Sequence, residues 1–595
     1  MFCYFIILIL KKMKTYRLSV LIAFYLFFLI KESTVSNAQA ISPNHIDSTY
    51  SKNKIIIPKY WIAYEYCWTK DQPLPESRWK ENIDWMAKNF KSYGYDMISN
   101  DGWIEGAQTI NSDGYITKYN DSWLNGFEYW SEYLSSKEMK MGVYYNPLWL
   151  TKAAYDQNLK IKGTNYSTQD IVGNFSFNEY LYWVDVSKPG AKEWIQGYVK
   201  YWIELGTTFL RIDFLENYER NYGPAKYANA LKWINEAAGN EMLLSLVMPN
   251  SYNHSQTELL YGDMMRVDDD CFAGGWDFVS ERRRGEKKEG WPQYGNAFDG
   301  FISFADIGGR DQMILDGDFI RLNTLANDTE RKFQVSLFVM AGSPIAIADQ
   351  FDTIEGSEWV YQNTELLDIH NQGFVGKPIS YNISDSNNSS RWIGQLPDGD
   401  WVVGLFNRED TSQKRSIHFE KELGMDNGSF NIRDLWSHSD IESKGSEYVI
   451  NLDPHACQIL KIANKINPKY EAEVASMIGG ARKDAAIDDF SGIGYVDNFK
   501  NLGSKVLFVI KVPAAGTYKL NLRYANATGT NRTASLYVNG LKESEQLIMR
   551  ELANGVNWST ISKPVFLEAG ENSIAIQYDF NDNGLFVVDY IQLEK

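Results

Sequence analysis

Short apolar segments alternate with helical runs along much of the chain, and this alternation restricts the fold more than any other feature of the sequence. Helical spacing of apolar residues, as in 79–90 and 194–205, separates several of these segments. Such alternation over roughly 300 residues is typical of an α/β (β/α)8 TIM barrel, whose chemistry lies at the carboxyl ends of the strands. The predicted strands are residues 61–66, 95–99, 141–146, 208–213, 242–247, 264–267, 300–305 and 344–348.

The fourth of these segments carries an arginine and then a carboxylate where the strand should end. Side chains alternate across a strand, so Arg211 and Asp213 share one face. A cation in that position would hold the Asp213 carboxylate ionised. Taken alone, Asp213 has a second interpretation, because aspartate at a strand end often only caps the following loop.

The sixth segment ends in three adjacent carboxylates, Asp268, Asp269 and Asp270, which follow Arg266. Like charges crowded into one cleft raise a carboxyl pKa, so that a neutral acid can persist near neutral pH. One ionised and one protonated carboxyl are the apparatus of glycoside hydrolysis. A calcium site or a solvated acidic loop is the alternative interpretation.

Polar residues follow the other predicted strands as well, and a barrel would bring all of them to one mouth. Any one of them could be an ordinary loop residue, but their joint placement favours a functional cleft. They are Glu65, Trp68, residues 100–103, Tyr145, Asn146, Asp213 and residues 248–250, 268–270 and 306–311.

Length and charge limit the domain count and the partners. The chain has 595 residues, which is enough for two to four domains. Its net charge is -17, so we expect no nucleic-acid partner, because such binding needs a basic face. The six histidines show no metal-ligand spacing, and we expect no cofactor for catalysis.

The N-terminus has the pattern of an export signal. Basic residues at 11, 12, 14 and 17 precede an apolar run at 20–30, and small residues at 38–40 suit cleavage. We therefore expect residues 1–40 to be a signal peptide and the protein to be secreted or periplasmic. A membrane anchor is the alternative, but the apolar run is short for a spanning helix, so no stable membrane span is expected. The true start, Met1 or Met13, stays open.

Two all-strand regions follow the predicted barrel, which we place at 41–376. Short alternating segments at 391–395, 401–407, 416–419, 430–435, 448–451 and 456–462 predict an antiparallel β-sandwich over 377–463. Residues 464–469, with a proline, are typical of a linker. Residues 470–595 are again strand-rich and predict a third domain.

From about residue 60 to 462 the chain resembles glycoside hydrolase family 27, the α-galactosidase or melibiase family with isomalto-dextranase and β-L-arabinopyranosidase relatives. Residues 100–103 (Asn-Asp-Gly-Trp) resemble the family's Asp-Asp-Gly/Cys-Trp sugar-binding loop. Residues 211–213 (Arg-Ile-Asp) stand where the family has Lys-x-Asp with the nucleophile. Residues 266–270 (Arg-Val-Asp-Asp-Asp) stand where it has Arg-x-x-x-Asp with the acid/base.

The resemblance implies a retaining double-displacement mechanism. Asp213 would be the nucleophile and Asp270 the acid/base, with their carboxyl groups about 5–5.5 Å apart. It also implies sugar contacts by Asp101, Trp103, Arg211 and Arg266. The expected function is therefore a secreted retaining glycoside hydrolase acting on terminal α-galactosides of oligo- or polysaccharides.

Three departures from the family pattern point to another sugar. Asn100 stands where family α-galactosidases have an aspartate that distinguishes galactose from glucose, and Arg211 replaces a lysine. Residues 309–311 (Gly-Arg-Asp) stand in place of a Trp-Asn-Asp-Pro-Asp segment after strand seven. The alternatives are an isomalto-dextranase-type hydrolase of α-1,6-glucan and a catalytically silent glycan-binding protein.

The last region resembles carbohydrate-binding modules of families 35 and 6. This resemblance implies a structural Ca²⁺ held by Glu471 and Glu473 from the first strand and Asp589 from the last, since calcium prefers oxygen ligands. Loose analogy suggests a sugar face, with core packing as the alternative for each aromatic. Its candidates are Tyr495, Tyr524, Asn526, Trp558 and Asn581.

Overall fold

The computed structural model describes residues 56–248, 255–271, 273–287, 294–354, 356–425, 429–464, 467–553 and 557–595. The predicted signal peptide and residues 249–250 lie outside this part of the chain. None of the helices in the described ranges is long and apolar enough to cross a membrane.

Eight parallel strand positions form the barrel. The order of neighbours runs from β7 through β6, β5, β4, β3, β2 and β1 to β8. β7 consists of two segments, of which the first pairs with β6 and the second with β8, so the ring closes through β7. The strands are β1 (Lys59–Ile62), β2 (Met97–Ser99), β3 (Lys140–Tyr144), β4 (Thr207–Ile212), β5 (Leu243–Leu246), β6 (Met264–Arg266), β7 (Ile314–Asp316 and Phe319–Ile320) and β8 (Ile345–Ile347).

Helices cover the outside of the barrel. Ala191–Glu204 shows why they form, because its buried residues recur at helical spacing and include Trp194, Tyr198 and Trp202. Its first turn carries Glu193, which suits the positive end of the helix dipole. The other longer helices are Glu76–Asn89, Phe127–Ser136, Leu215–Tyr222, Pro224–Ala238, Ala297–Ser303, Asp328–Ala341 and Thr364–Asn371.

A small antiparallel sheet, absent from the sequence prediction, is inserted after β3. It consists of Trp149–Thr151, Val172–Ser176 and Leu181–Val184. Phe177, in the turn between its last two strands, packs against Phe214 with ring centroids 4.6 Å apart. The insertion therefore supports the residue that directly follows Asp213.

The predicted strand at 300–305 is wrong, since these residues belong to the helix Ala297–Ser303. The Asn296 side chain caps this helix by accepting from the Asp299 amide, and nearly every residue in it is buried. A short segment buried on all sides does not reveal its period, so helix and strand cannot be distinguished by pattern alone. Likewise, the first strand ends at Ile62, and Glu65–Lys70 is helical.

Residues 306–311 precede β7 instead of following a strand, so they do not belong to the polar residues at the carboxyl ends of the barrel strands. Ser476 Oγ donates to the Arg310 carbonyl at 2.7 Å, and Arg310 lies 3.5 Å from Glu571. The segment therefore contacts the C-terminal module. Strand seven instead places Asp316, Gly317 and Asp318 at the interruption between its two segments, in place of the predicted 309–311.

Two further β domains follow the barrel. The first pairs a six-stranded sheet (Lys377–Pro378, Arg391–Gln395, Trp401–Phe406, Cys457–Ile462, Ser429–Asp434, Ser439–Lys444) with a two-stranded one (Gln413–His418, Glu447–Leu452). The second has two six-stranded sheets, with main strands Lys505–Val512, Gly516–Ala525, Arg532–Val538, Ser559–Leu567, Gly570–Gln577 and Val587–Glu594. The predicted β-sandwich and strand-rich C-terminal domain are thus confirmed.

Candidate active site

Asp213 lies directly after β4 and is held from two sides. Its Oδ1 accepts from the Phe214 amide at 2.6 Å, and its Oδ2 accepts from Tyr144 Oη at 2.8 Å. Burial raises the pKa of Asp213, whereas these two hydrogen bonds and the charges of Arg211 and Arg266 lower it. The contact with Phe214 is the predicted loop cap, but the second oxygen is positioned by another strand.

The backbone after Asp213 is strained. Phe214 has a φ of 58°, in the left-handed region that bulky side chains rarely adopt. Such strain persists only where the surroundings enforce it, and here Phe177 packs on the Phe214 ring while Asn146 donates to the Asp213 carbonyl at 2.6 Å. The inserted sheet and β3 thus determine the orientation of the carboxylate.

Of the three adjacent carboxylates after β6, only Asp270 combines exposure with proximity to Asp213. Its side chain is 27% exposed and lies 2.9 Å from Arg266 Nη2. Burial and the charge of Asp213 raise the pKa of Asp270, while Arg266 lowers it. Asp268 is buried beside Arg266, and Asp269 faces Arg283 at 3.8 Å. This arrangement favours Asp270 as the proton donor.

Two arginines and two aspartates form a buried network beneath this carboxylate pair. Arg211 contacts Asp316 and Asp318 at 3.0 Å each, and Arg266 contacts Asp318 at 2.8 Å. The second oxygen of Asp318 accepts from the Cys271 amide at 2.7 Å. Asp318 therefore connects β4, β6, β7 and the loop that carries Asp270.

Sequence reasoning missed Asp316 and Asp318, because strand seven was placed too early. The available signal was an apolar run, residues 313–315, that is followed by Asp-Gly-Asp, much as the fourth and sixth predicted strands end in charged residues.

Arg211 and Arg266 were expected to contact sugar. In the structure both are buried in this network, and sugar contact stays a prediction.

The loop after β2 contributes a buried acid and an aromatic ring. Burial raises the pKa of Asp101 to about 7, with the charge of Arg211 opposing the shift. Trp103 packs beside Trp79 and Trp123, and its buried indole N–H has no hydrogen-bond partner among the described residues. Both residues follow a strand adjacent to β3, which carries Tyr144.

Both polar atoms of the Asn100 side chain are hydrogen-bonded to the backbone of β3. Its amide oxygen accepts from the Tyr144 N–H at 2.9 Å, and its amide nitrogen donates to the Tyr144 carbonyl at 3.2 Å. An ionised aspartate could accept the first bond but could not donate the second. The residue is fully buried, so the departure from the family's paired aspartates removes a carboxylate from this position.

The other residues predicted to lie at the mouth of the barrel differ in their solvent exposure. Glu65 is buried and accepts from Asn323 and Thr353 at 2.7 and 3.0 Å, which indicates a structural role. Trp68 is 49% exposed. Tyr145 is buried against Tyr198, with ring centroids 4.9 Å apart.

In the C-terminal module, the three predicted calcium ligands lie close together. Glu471, Glu473 and Asp589 are all buried, and burial raises the pKa of each, to about 8 for Glu473 and about 6 for Asp589; the charges of neighbouring carboxylates raise it further for the two glutamates. One oxygen of each glutamate has no hydrogen-bond partner in the described part of the chain. Arg523 pairs with Asp589, and no described set of three ligating side chains is spaced to hold a metal as it stands.

The donor chemistry nevertheless fits a hard cation, because all the atoms are oxygens and two of them are buried without a donor. Three of the candidates for the sugar face, Tyr495, Tyr524 and Asn526, are buried, in agreement with core packing. Trp558 is partly exposed, with its N–H bonded to the Asp488 carbonyl, and Asn581 is exposed.

A TIM barrel with two carboxylates at the ends of β4 and β6, followed by two β domains, defines a glycosidase of the barrel class. Residues 386–462 match the alpha galactosidase C-terminal beta sandwich domain, and residues 468–595 match carbohydrate binding module family 35. The isomalto-dextranase of Arthrobacter globiformis is 39% identical over 586 residues, covering 90% of both chains. Its structure complexed with panose has a TM-score of 0.86 and covers 90% of this chain and 96% of that one.

The chain therefore belongs to glycoside hydrolase family 27 and is an O-glycosyl hydrolase with a carbohydrate-binding module. A β-L-arabinopyranosidase from Geobacillus stearothermophilus is 18% identical with a TM-score of 0.57, covering 70% of this chain and 99% of that one. α-Galactosidase I from Mortierella vinacea is 14% identical with a TM-score of 0.52, covering 69% and 97%. At this distance only the fold is shared, so the expected α-galactosidase specificity is not supported.

Substituting Asp318 should change the pH dependence of activity. Asp318 is a negative charge that interacts with Asp270, so Asp318→Asn should lower the pKa of Asp270. The acid would then lose its proton earlier, and the alkaline limb of kcat/KM should move to lower pH. Asp316→Asn is the matched control, because Asp316 contacts Arg211 rather than Arg266. An alkaline limb that moves equally in both variants would refute this role.

Proposed function

We propose that the chain is a secreted, retaining, exo-acting hydrolase of α-1,6-glucan of the isomalto-dextranase type. One observation carries the proposal, namely the 39% identity to an isomalto-dextranase across 90% of both chains. The site supports it, because Asn100 is tied to the Tyr144 backbone where α-galactosidases of the family carry a carboxylate.

In this mechanism Asp213 attacks the anomeric carbon and forms a glycosyl-enzyme. Asp270 donates a proton to the leaving oxygen and then removes one from the attacking water. The environments suit these roles, since Asp213 accepts two hydrogen bonds, whereas the charge of Asp213 favours the protonated form of Asp270. Two inversions at one carbon retain the anomeric configuration.

Sugar contacts are assigned to groups around the pair. Trp103 offers a buried N–H that lacks a partner in the described chain, and Asp101 of the same loop is a buried polar group. Arg266 reaches the cleft through its contact with Asp270. Arg211 would contribute indirectly, because its ion pairs with Asp316 and Asp318 hold β7 in place.

The accessory parts would keep the enzyme on its polymer. The C-terminal module would bind the glycan, with Trp558 as the best exposed aromatic of the predicted sugar face. Residues 1–40 would direct export to the periplasm or medium. A Ca²⁺ ion would be held by Glu471, Glu473 and Asp589, where it would neutralise three buried carboxylates.

Dextran hydrolysis tests the activity and the catalytic pair together. Dextran should be cleaved and p-nitrophenyl α-galactoside left intact, and Asp213→Asn or Asp270→Asn should lower kcat by about 10³-fold or more. Asp269→Asn is the matched control, because an asparagine keeps the oxygen that accepts from the Asp270 amide. Galactoside turnover, or full activity in either catalytic variant, would contradict the proposal. Dextran binding without hydrolysis would identify a silent glycan-binding protein.

Calcium should reverse a pH-dependent loss of stability in the module. Burial raises the pKa of Glu473 from 4.5 to about 8, so without metal the folded state is favoured at low pH and loses stability as pH rises through this window. With EDTA, the Tm of the module transition should therefore fall between pH 5 and 8, by an amount that Ca²⁺ restores. Glu473→Gln should weaken both effects. A Tm that is insensitive to Ca²⁺ at pH 8 would exclude the ion.

A further inference from the structure

One hydroxyl lies between two carboxylates at the edge of the candidate active site. Tyr144 Oη is 2.8 Å from Glu105 Oε1 and 2.8 Å from Asp213 Oδ2. A phenol carries a single hydrogen, so it can donate to only one of these oxygens at a time. The carboxyl that does not receive this hydrogen must itself be protonated, because otherwise its oxygen faces a lone pair of the Tyr144 hydroxyl.

The three residues come from the ends of three neighbouring strands. Glu105 lies in the 3₁₀ turn Gly102–Gly106 after β2, Tyr144 is the last residue of β3, and Asp213 follows β4. Tyr144 is buried and its backbone is held by Asn100. The barrel itself therefore brings these groups together.

The surroundings decide which carboxyl holds the proton. Burial raises the pKa of Asp213, but the amide of Phe214 and the charges of Arg211 and Arg266 act against this shift and favour the ionised form. Burial raises the pKa of Glu105 to about 8, with the charges of Asp213 and Asp101 acting in the same direction. The other titratable groups facing Glu105 are Cys67 and Tyr145.

We propose that Glu105 is a positioning residue that acts as a neutral acid: it donates to Tyr144 Oη and thereby commits the Tyr144 hydrogen to the nucleophile Asp213. This inference rests on the proposed function, in which Asp213 attacks the sugar. The hydrogen bond stabilises the ionised form of Asp213 and fixes one of its oxygens.

A pH limit follows from this arrangement. Above about pH 8, Glu105 loses its proton, and Tyr144 then faces two anions with one hydrogen. Asp213 loses part of its hydrogen bond and gains a neighbouring negative charge. The nucleophilic step should therefore slow at alkaline pH, without a matching change in substrate binding.

The test uses an aryl glycoside, 2,4-dinitrophenyl α-isomaltoside, whose leaving group needs no protonation. This substrate removes the alkaline limb that Asp270 would otherwise impose. We expect wild-type kcat to fall above pH 8 while KM stays constant. Glu105→Gln, whose amide always donates to Tyr144, should remain within about threefold of wild type at pH 7 and lose the alkaline fall.

Two further variants separate positioning from a structural role. Glu105→Ala should lower kcat about tenfold to a hundredfold at all pH values, because the donor is lost. In a Tyr144→Phe background, Glu105→Gln should have no effect on the pH profile, since the connecting hydroxyl is gone. An alkaline fall that persists in Glu105→Gln, or an equal loss in the Gln and Ala variants, would overturn the proposal.

An infrared difference spectrum at pH 7 measures the protonation state of Glu105 without requiring enzyme turnover. Wild type minus Glu105→Gln should show the carbonyl stretch of a protonated carboxyl, and its absence would refute the inference even if the enzyme is active. Conversely, a wild type that cleaves neither dextran nor the aryl glycoside while showing this band would refute the proposed function alone.

Discussion

The active-site geometry depends on the buried ion network of Arg211, Arg266 and Asp318. Three strands and the loop of Asp270 meet at the Asp318 carboxylate, which contacts both guanidinium groups and the Cys271 amide. Removing one partner from such a network leaves an uncompensated buried charge, which is strongly destabilising. The network therefore holds the ends of β4, β6 and β7 in a single arrangement.

This arrangement gives two chemically identical side chains different electrostatic surroundings. Burial raises the pKa of Asp213, but the charges of both arginines and the hydrogen bonds from Tyr144 and Phe214 lower it and so favour the ionised form. Burial and the charge of Asp213 raise the pKa of Asp270, Arg266 and Arg211 lower it, and Asp318 adds a further negative charge. In the proposed mechanism this difference in surroundings, rather than residue type, separates the nucleophile from the acid.

The sequence alone was sufficient where an apolar run ended visibly in charge. The candidate Asp213 and the acidic run 268–270 were located in this way, whereas Asp270 was selected from that run by the family resemblance. Seven of the eight predicted barrel strands overlap observed ones. Strand seven was missed because the fully buried helix Ala297–Ser303 has no readable period, while the true strand is short and interrupted at Gly317. The contact of Glu105 with Asp213 through Tyr144 joins residues distant in sequence, so no local pattern could reveal it.

The most direct test of this assignment is to trap the intermediate with a fluorinated α-isomaltosyl fluoride and map the labelled peptide by mass spectrometry. A slow-turnover substrate of this kind should accumulate a glycosyl-enzyme if hydrolysis proceeds by double displacement. We predict a single label on Asp213, with products of retained configuration. A label on another carboxylate, or inverted products with no trapped adduct, would contradict the proposed mechanism.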